Sequence, residues 1–104
     1  MGEGYLSTRI IKWINSQPGC RAIKMHSGPH QGRGEPDIFA SIRGRMMVVE
    51  TKLPGKGGTI TQIQRYMLQQ WRSAGAMASS ATTLEEVQSI VHQLILEDDT
   101  YGSQ

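Results

Sequence analysis

A chain of 104 residues with 38% hydrophobic content has room for one core, so a single domain over residues 1–104 is expected. No apolar run approaches the roughly 20 residues that cross a bilayer, and residues 1–9 lack the apolar stretch of a secretory signal, so no membrane span is expected and the expected setting is cytoplasmic, in a bacterium or, for a viral protein, its host. The single cysteine, Cys20, cannot form an intrachain disulfide and fits a reducing compartment, while a formal charge of +2 and a pI near 8.9 are only a weak pointer to nucleic acid.

The first predicted element is a helix from about Glu3 to Ser16, where Leu6, Ile10, Ile11, Trp13 and Ile14 make a broad apolar stripe before Pro18-Gly19 stops it. Residues from Cys20 to Ser27 can form a strand, with Ala22 and Ile23 apolar and Arg21 and Lys24 not; Cys20 reads as a small buried residue at its start. The segment from Gly28 to Gly34 is a loop, because glycine and proline break both repeats. Two strands follow, Pro36 to Ile42 and Arg45 to Leu53, joined by Arg43-Gly44 as a two-residue hairpin turn. A second glycine-rich loop covers residues 54–58. Thr61 is then expected to cap a helix, with Gln64 completing a capping box and Gly75 ending the helix after Ala74. Ala76 to Ala81 reads as a short buried strand. Thr82 or Thr83 caps a last helix through Leu96, whose apolar face is Leu84, Val87, Ile90, Val91 and Leu94. A polar, frayed tail is expected from about Glu97. The order α-β-β-β-α-β-α implies an α/β fold in which a mixed central sheet is flanked by helices.

The hairpin carries the chemistry. With Arg43-Gly44 as the turn, Ile42 pairs with Arg45, and stepping back along the ladder pairs Asp37 with Glu50. Opposed residues share a face with Cβ atoms about 4.5–5.5 Å apart, and the pleat returns Lys52 to the face of Glu50. Two carboxylates facing each other destabilise a sheet, and a divalent cation between them removes the objection. Such a cation would acidify a water and offset charge on a phosphorane-like transition state, while Lys52 could position or deprotonate the attacking water or stabilise developing charge. The plainer alternative is a cross-strand salt bridge between Glu35 and Lys52, which also pair in this register.

Charge distribution agrees with a nucleic-acid substrate. All eleven basic residues fall between Arg9 and Arg72, where the only acids are Glu35, Asp37 and Glu50, while Glu85, Glu86, Glu97, Asp98 and Asp99 crowd the C-terminal third. Ser27, Arg33 and Lys56 are candidate DNA contacts, although a plain loop hydroxyl and a solubilising charge are equally good readings of Ser27 and Lys56. His26 and His30 flank Ser27-Gly28-Pro29, so no helix aligns them on a metal, and they read as solvated loop residues. Residues 28–34 lack the Gly-Lys-Ser/Thr ending of a phosphate loop, so no nucleotide cofactor is expected. Trp13, Met67, Leu68 and Trp71 sit at helical spacings as core or dimer contacts. They are more large apolar groups than one thin sheet should cover, and an exposed patch of that kind suggests an interface.

Across nearly its whole length the sequence resembles the PD-(D/E)xK nuclease superfamily, and within it the VRR-Nuc domain and the archaeal-type Holliday junction resolvases. The resemblance rests on a leading helix with an acid near its start, a strand ending at a loop serine, Gly34-x-Pro36-Asp37, the block Val49-Glu50-Thr51-Lys52, and Thr61-x-x-Gln64 opening a helix that ends at Gly75. It implies a restriction-endonuclease-like core and metal binding by Asp37 and Glu50, with the Thr51 carbonyl as a further ligand and Glu3 aligning loosely with a helix-1 glutamate that completes the site. It also implies catalysis by Lys52, an accessory role for Gln64, and Mg²⁺ as the cofactor with Mn²⁺ able to substitute. The expected activity is endonucleolytic hydrolysis of DNA, selective for branched or four-way-junction substrates, by a phage or bacterial homodimer. The competing expectations are a catalytically silent DNA-binding module and a structural subunit of a DNA-processing assembly.

Overall fold

The computed structural model describes residues 2–25, 34–55 and 59–102, with Glu3 and residues 99–102 placed only as helical backbone. Three strands form an antiparallel meander, β1 (Cys20–Lys24), β2 (Ile38–Ile42) and β3 (Arg45–Thr51), and β4 (Met77–Ala81) joins β3 in parallel. Helix α1 (Glu3–Asn15) precedes the sheet, α2 (Gln62–Ser73) crosses from β3 to β4, and α3 (Leu84–Gly102) ends the chain as described. The element order and the mixed sheet are those the sequence predicts.

Strand alternation divides the side chains between two faces. On one face Ala22, Ile38, Ala40, Ile42, Met47, Val49 and Ala81 pack with Leu6, Ile10 and Ile14 of α1 and with Val87, Val91 and Leu94 of α3. On the other, Val48 and Ala78 meet Leu68 of α2, with Phe39, Met46, Ile60 and Trp71 around them. Full burial of one aliphatic side chain is worth about 1.5–3 kcal/mol, so the first and larger cluster carries most of the stability. β3 is covered on both faces through its middle, which explains its unbroken apolar run Met46-Met47-Val48-Val49.

The hairpin turn holds both central residues at positive φ, Arg43 at 51° and Gly44 at 91°, as a primed turn requires. Arginine pays a steric cost there that glycine does not, and it is tied down by its amide donating to the Gly19 carbonyl at 2.9 Å.

Several expectations need correction. β2 begins at Ile38 rather than Pro36, because proline offers no ladder N–H and Asp37 takes the Thr51 amide with its carboxylate instead. β1 ends at Lys24 and β3 at Thr51, after which the Lys52 amide still reaches the Ala81 carbonyl. The last helix does not stop at Leu96: it continues through Glu97 and Asp98, which pair with Arg45 at 3.3 Å and Arg43 at 3.9 Å. Those two arginines are therefore partly neutralised, which weakens the basic asymmetry read from the sequence. The aromatic patch does not exist as one surface either. Trp13 stands edge-on to His92 on the α1/α3 side, whereas Leu68 is buried and Trp71 stands edge-on to Phe39 on the opposite side. Among the described residues the large apolar side chains left exposed are Tyr5, Ile23, Ile63, Tyr66 and Leu96, scattered over different elements. No helix among the described residues is long and apolar enough to cross a membrane. Cys20 is a free, half-buried thiol packed against the larger cluster.

Candidate active site

The charged residues gather where β2 begins and β3 ends. The observed register, Ile42↔Arg45 through Ile38↔Val49, places Asp37 opposite Glu50 by one further step, as the hairpin turn implies. From the β1 side, the Met25 amide donates to the Asp37 carbonyl at 2.7 Å and fixes the backbone at that corner.

Being the last residue before the ladder, Asp37 can turn its carboxylate around the strand end. Its Oδ1 accepts the Thr51 amide at 2.7 Å, and its Oδ2 accepts the Thr51 hydroxyl at 2.5 Å and the Lys24 ammonium at 3.1 Å. Thr51 and Lys24 belong to the alternation that faces α1 and α3, so the Asp37 carboxylate leans toward that side. Charge-assisted bonds of this kind are about twice as strong as neutral ones, and three of them on one carboxylate hold it firmly.

Glu50 points to the other face, under the start of α2, and the pleat carries Lys52 to the same face. Glu50 is 6% exposed, and its Oε2 accepts the Gln64 side-chain amide across a long 3.5 Å. Gln64 has no freedom to turn over. Its Oε1 accepts the Thr61 amide at 2.9 Å while the Thr61 hydroxyl accepts the Gln64 amide at 3.1 Å, a complete capping box that leaves only Nε2 for Glu50. The helix start thereby sets the polarity of a side chain in the site.

Lys52 is 9% exposed, and among the described residues its ammonium has no ion-pair partner. The alternative salt bridge to Glu35 is not formed: Glu35 Oε1 accepts the Trp71 indole N–H at 3.4 Å instead. Among the described residues no buried side-chain nitrogen or oxygen lacks a hydrogen-bond partner, so the buried part of Lys52 is its stem and the ammonium reaches the open side of the site. Gly34, at φ 80°, lies so close to α2 that a Cβ would meet the Ile63 backbone at 3.0 Å, so this position packs directly against the helix beside the site.

Of the remaining expected residues, Ser27, Arg33 and Lys56, together with His26 and His30, lie outside the described residues. Glu3 is the first residue of α1, its side chain also outside the description. Among the described residues no three His, Cys, Asp or Glu side chains cluster as a metal centre.

Two residues at this corner escaped the sequence reading. Lys24 reaches Asp37 from β1, and Ser7 of α1, 1% exposed, accepts the Lys24 ammonium at 2.9 Å while donating to the Gly4 carbonyl at 3.1 Å. The signal was present: Lys24 continues the parity of Cys20 and Ala22 toward the core, and Ser7 interrupts the stripe of Ile10 and Ile14 at helical spacing. A polar residue on a buried parity needs a partner.

No family model matches the sequence, and no curated protein is significantly similar to it. Solved structures do match. A "VRR_NUC domain protein" superposes with a TM-score of 0.69 at 20% identity, covering 89% of this chain and 87% of its own. A second structure, "VRR_NUC domain", gives 0.68 at 21% identity, with 86% and 94% covered. Each superposition spans more than four fifths of both chains, so the chain has the fold of VRR_NUC domain proteins.

Proposed function

We propose that this protein is a metal-dependent endodeoxyribonuclease whose site consists of Asp37, Glu50, Lys52 and the Thr51 carbonyl, with Gln64 accessory. The observation that carries the reading is Lys52: a lysine with a buried stem and no ion-pair partner among the described residues, brought by the pleat to the face of Glu50, the residue opposite Asp37. No ion pair among the described residues accounts for such a group. A phosphodiester passing through a more anionic transition state does. The VRR_NUC fold agrees with it.

Two carboxylates and a backbone carbonyl are hard oxygen donors, without thiolate or imidazole, and they suit Mg²⁺ or Mn²⁺. Asp37 and Glu50 would hold the ion, with Glu3 a further donor from the start of α1. When bound, the ion supplies a water of lowered pKa and a Lewis acid for the phosphate. The chain's own groups do the rest. Thr51 fixes Asp37 in one orientation, Gln64 donates to Glu50 and orients it, and Lys52 stabilises charge on the reacting phosphate or positions the attacking water. Ser27, Arg33 and Lys56 are proposed contacts to the DNA backbone.

The substrate is proposed to be branched DNA, the four-way junction above all, cut by a homodimer with two symmetric sites. The dimer rests on the resemblance to the resolvases alone, since intramolecular packing accounts for Trp13, Leu68 and Trp71. Digestion of matched linear, flapped and four-way-junction DNA with Mg²⁺, by the natural chain and by Lys52→Ala, tests the activity. No cleavage of any substrate by the natural chain would leave the silent DNA-binding module as the better reading. Equal cleavage of linear and branched DNA would remove the junction preference, and a mass near 11.5 kDa by light scattering at all concentrations would remove the dimer. Calorimetry should find Mg²⁺ binding that Asp37→Asn and Glu50→Gln both weaken; unchanged affinity in both would reassign the metal site.

A further inference from the structure

We propose that Lys24 is the resident counter-ion of the metal site: its ammonium neutralises Asp37 while the cation is absent and opposes the cation when it arrives. This rests on the metal-site reading above and gives that site a built-in control of metal affinity.

The first ground is position. Lys24 projects on the core-facing side of β1, where its neighbours in alternation, Cys20 and Ala22, pack against the aliphatic cluster. Its ammonium is held from two directions, by Ser7 Oγ at 2.9 Å and by Asp37 Oδ2 at 3.1 Å. Ser7 is itself anchored on the first turn of α1 through the Gly4 carbonyl, so the ammonium is pinned rather than swinging in solvent.

The second ground separates charge from orientation. A lysine beside a carboxylate could serve merely to aim it. Asp37, however, is already aimed by the Thr51 amide at 2.7 Å and the Thr51 hydroxyl at 2.5 Å, one bond to each oxygen. Two fixed donors on one residue of the neighbouring strand define its orientation without Lys24. What Lys24 adds and Thr51 cannot is a full positive charge.

The third ground is electrostatic. Asp37 and Glu50 occupy opposed positions in the ladder, with Lys52 on the face of Glu50 and Lys24 on the side toward which the Asp37 carboxylate turns. Without metal, Lys24 offsets the charge of Asp37. With metal, the same cation stands beside a divalent ion sharing Asp37, and like charges at that range repel strongly even when screened. The arrangement trades metal affinity for a site that stays folded when empty.

The test uses the full chain with Lys24→Met, which keeps length and removes charge, Lys24→Gln, which keeps a polar end, and Lys24→Arg, which keeps charge. In EDTA, Lys24→Met should melt about 4–8 °C below the natural protein, the shift expected of roughly one lost interaction of this size in a small domain. That loss should disappear when Asp37 is already Asn. By calorimetry, Lys24→Met and Lys24→Gln should bind Mg²⁺ about tenfold more tightly, the scale of removing one nearby charge. Lys24→Arg should keep the natural affinity. Should Lys24→Met fail to fold without metal, folding restored by Mg²⁺ supports the proposal, and Lys24→Gln supplies the affinity. Unchanged or weaker Mg²⁺ binding by the neutral variants, with normal binding by the natural protein, overturns the counter-ion role alone. No Mg²⁺ binding by the natural protein or any variant overturns the metal-site reading and this proposal with it.

Discussion

At the start of α3, Thr83 and Glu86 exchange hydrogen bonds in a capping box, and the Glu86 carboxylate also takes the amide and hydroxyl of Thr82. At the start of α2, Thr61 and Gln64 build the same box, but the far side of the Gln64 amide faces Glu50. Glutamate and glutamine serve equally as the third helical residue of such a box. A carboxylate has the further benefit of a negative charge at the helix N-terminus, and α3 uses it. α2 forgoes it, because a carboxylate at position 64 would confront Glu50. The same contrast extends to the faces on which the helices lie: mostly aliphatic under α1 and α3, with Ser7, Lys24 and Thr51 gathered at one corner, and interrupted by Glu50 and Lys52 beside α2.

The largest expected effect separates those two faces. Lys52→Ala should lower the cleavage rate by about 10²–10⁴-fold, the range for losing a positioned acid–base or charge-stabilising group. DNA affinity should survive, since one lysine is a small part of the phosphate contacts. Stability should stay within about 1 kcal/mol, because Lys52 has no ion pair to lose among the described residues. Near-normal turnover would take Lys52 out of the mechanism.

Ile10→Ala is the counterpart in the larger aliphatic cluster. Ile10 is fully buried between α1 and the sheet, and its truncation should cost about 2–5 kcal/mol by urea denaturation. Under conditions where the variant is folded, activity per folded molecule should match the natural protein. A fall in activity comparable to that of Lys52→Ala would mean that the two faces are not separable.

The third effect bears on the capping boxes directly. Gln64→Glu preserves the helix start yet replaces a donor to Glu50 with a third negative charge. Thermal stability in Mg²⁺-free buffer should change by less than about 1 kcal/mol, while cleavage at fixed Mg²⁺ falls by about tenfold or more. If cleavage is unaffected, the contact between Gln64 and Glu50 has no part in the chemistry and α2's box is only a cap.

What was legible in the sequence follows the range of the interactions. The hairpin register could be read because Arg43-Gly44 fixes it locally and every step along the ladder follows from the pleat. The α2 cap could be read because Thr61 and Gln64 are three residues apart. The ion pair of Lys24 with Asp37 could not, since it depends on a carboxylate turning at a strand end toward a different strand. Nor could the helical run through Glu97, whose partner Arg45 is 52 positions away. The supposed aromatic patch came from counting apolar residues on helices without knowing that α1 and α2 cover opposite faces.

The smallest effect is also the most specific to the comparison. Glu86 is largely exposed, and its carboxyl is held below the ordinary carboxylate range, first by the Thr82 hydroxyl and then, against a partial opposition from burial, by the Thr82 and Thr83 amides and the Thr83 hydroxyl. A carboxyl whose folded value is lowered binds fewer protons folded than unfolded. Its contribution is therefore complete above the ordinary carboxylate range and is lost as pH falls through the lowered folded value. Glu86→Gln keeps the geometry of the box, as Gln64 does on α2, and removes only the charge. The cost at pH 7 should be about 0.3–0.5 kcal/mol after solvent screening, measured by urea unfolding. The difference between the two proteins should close as the buffer is taken below the carboxylate range, where the natural residue is protonated as well. A difference that persists undiminished in acid would place the worth of Glu86 in its shape rather than its charge, and the contrast between the two helix starts would then reduce to the presence of Glu50 beside one of them.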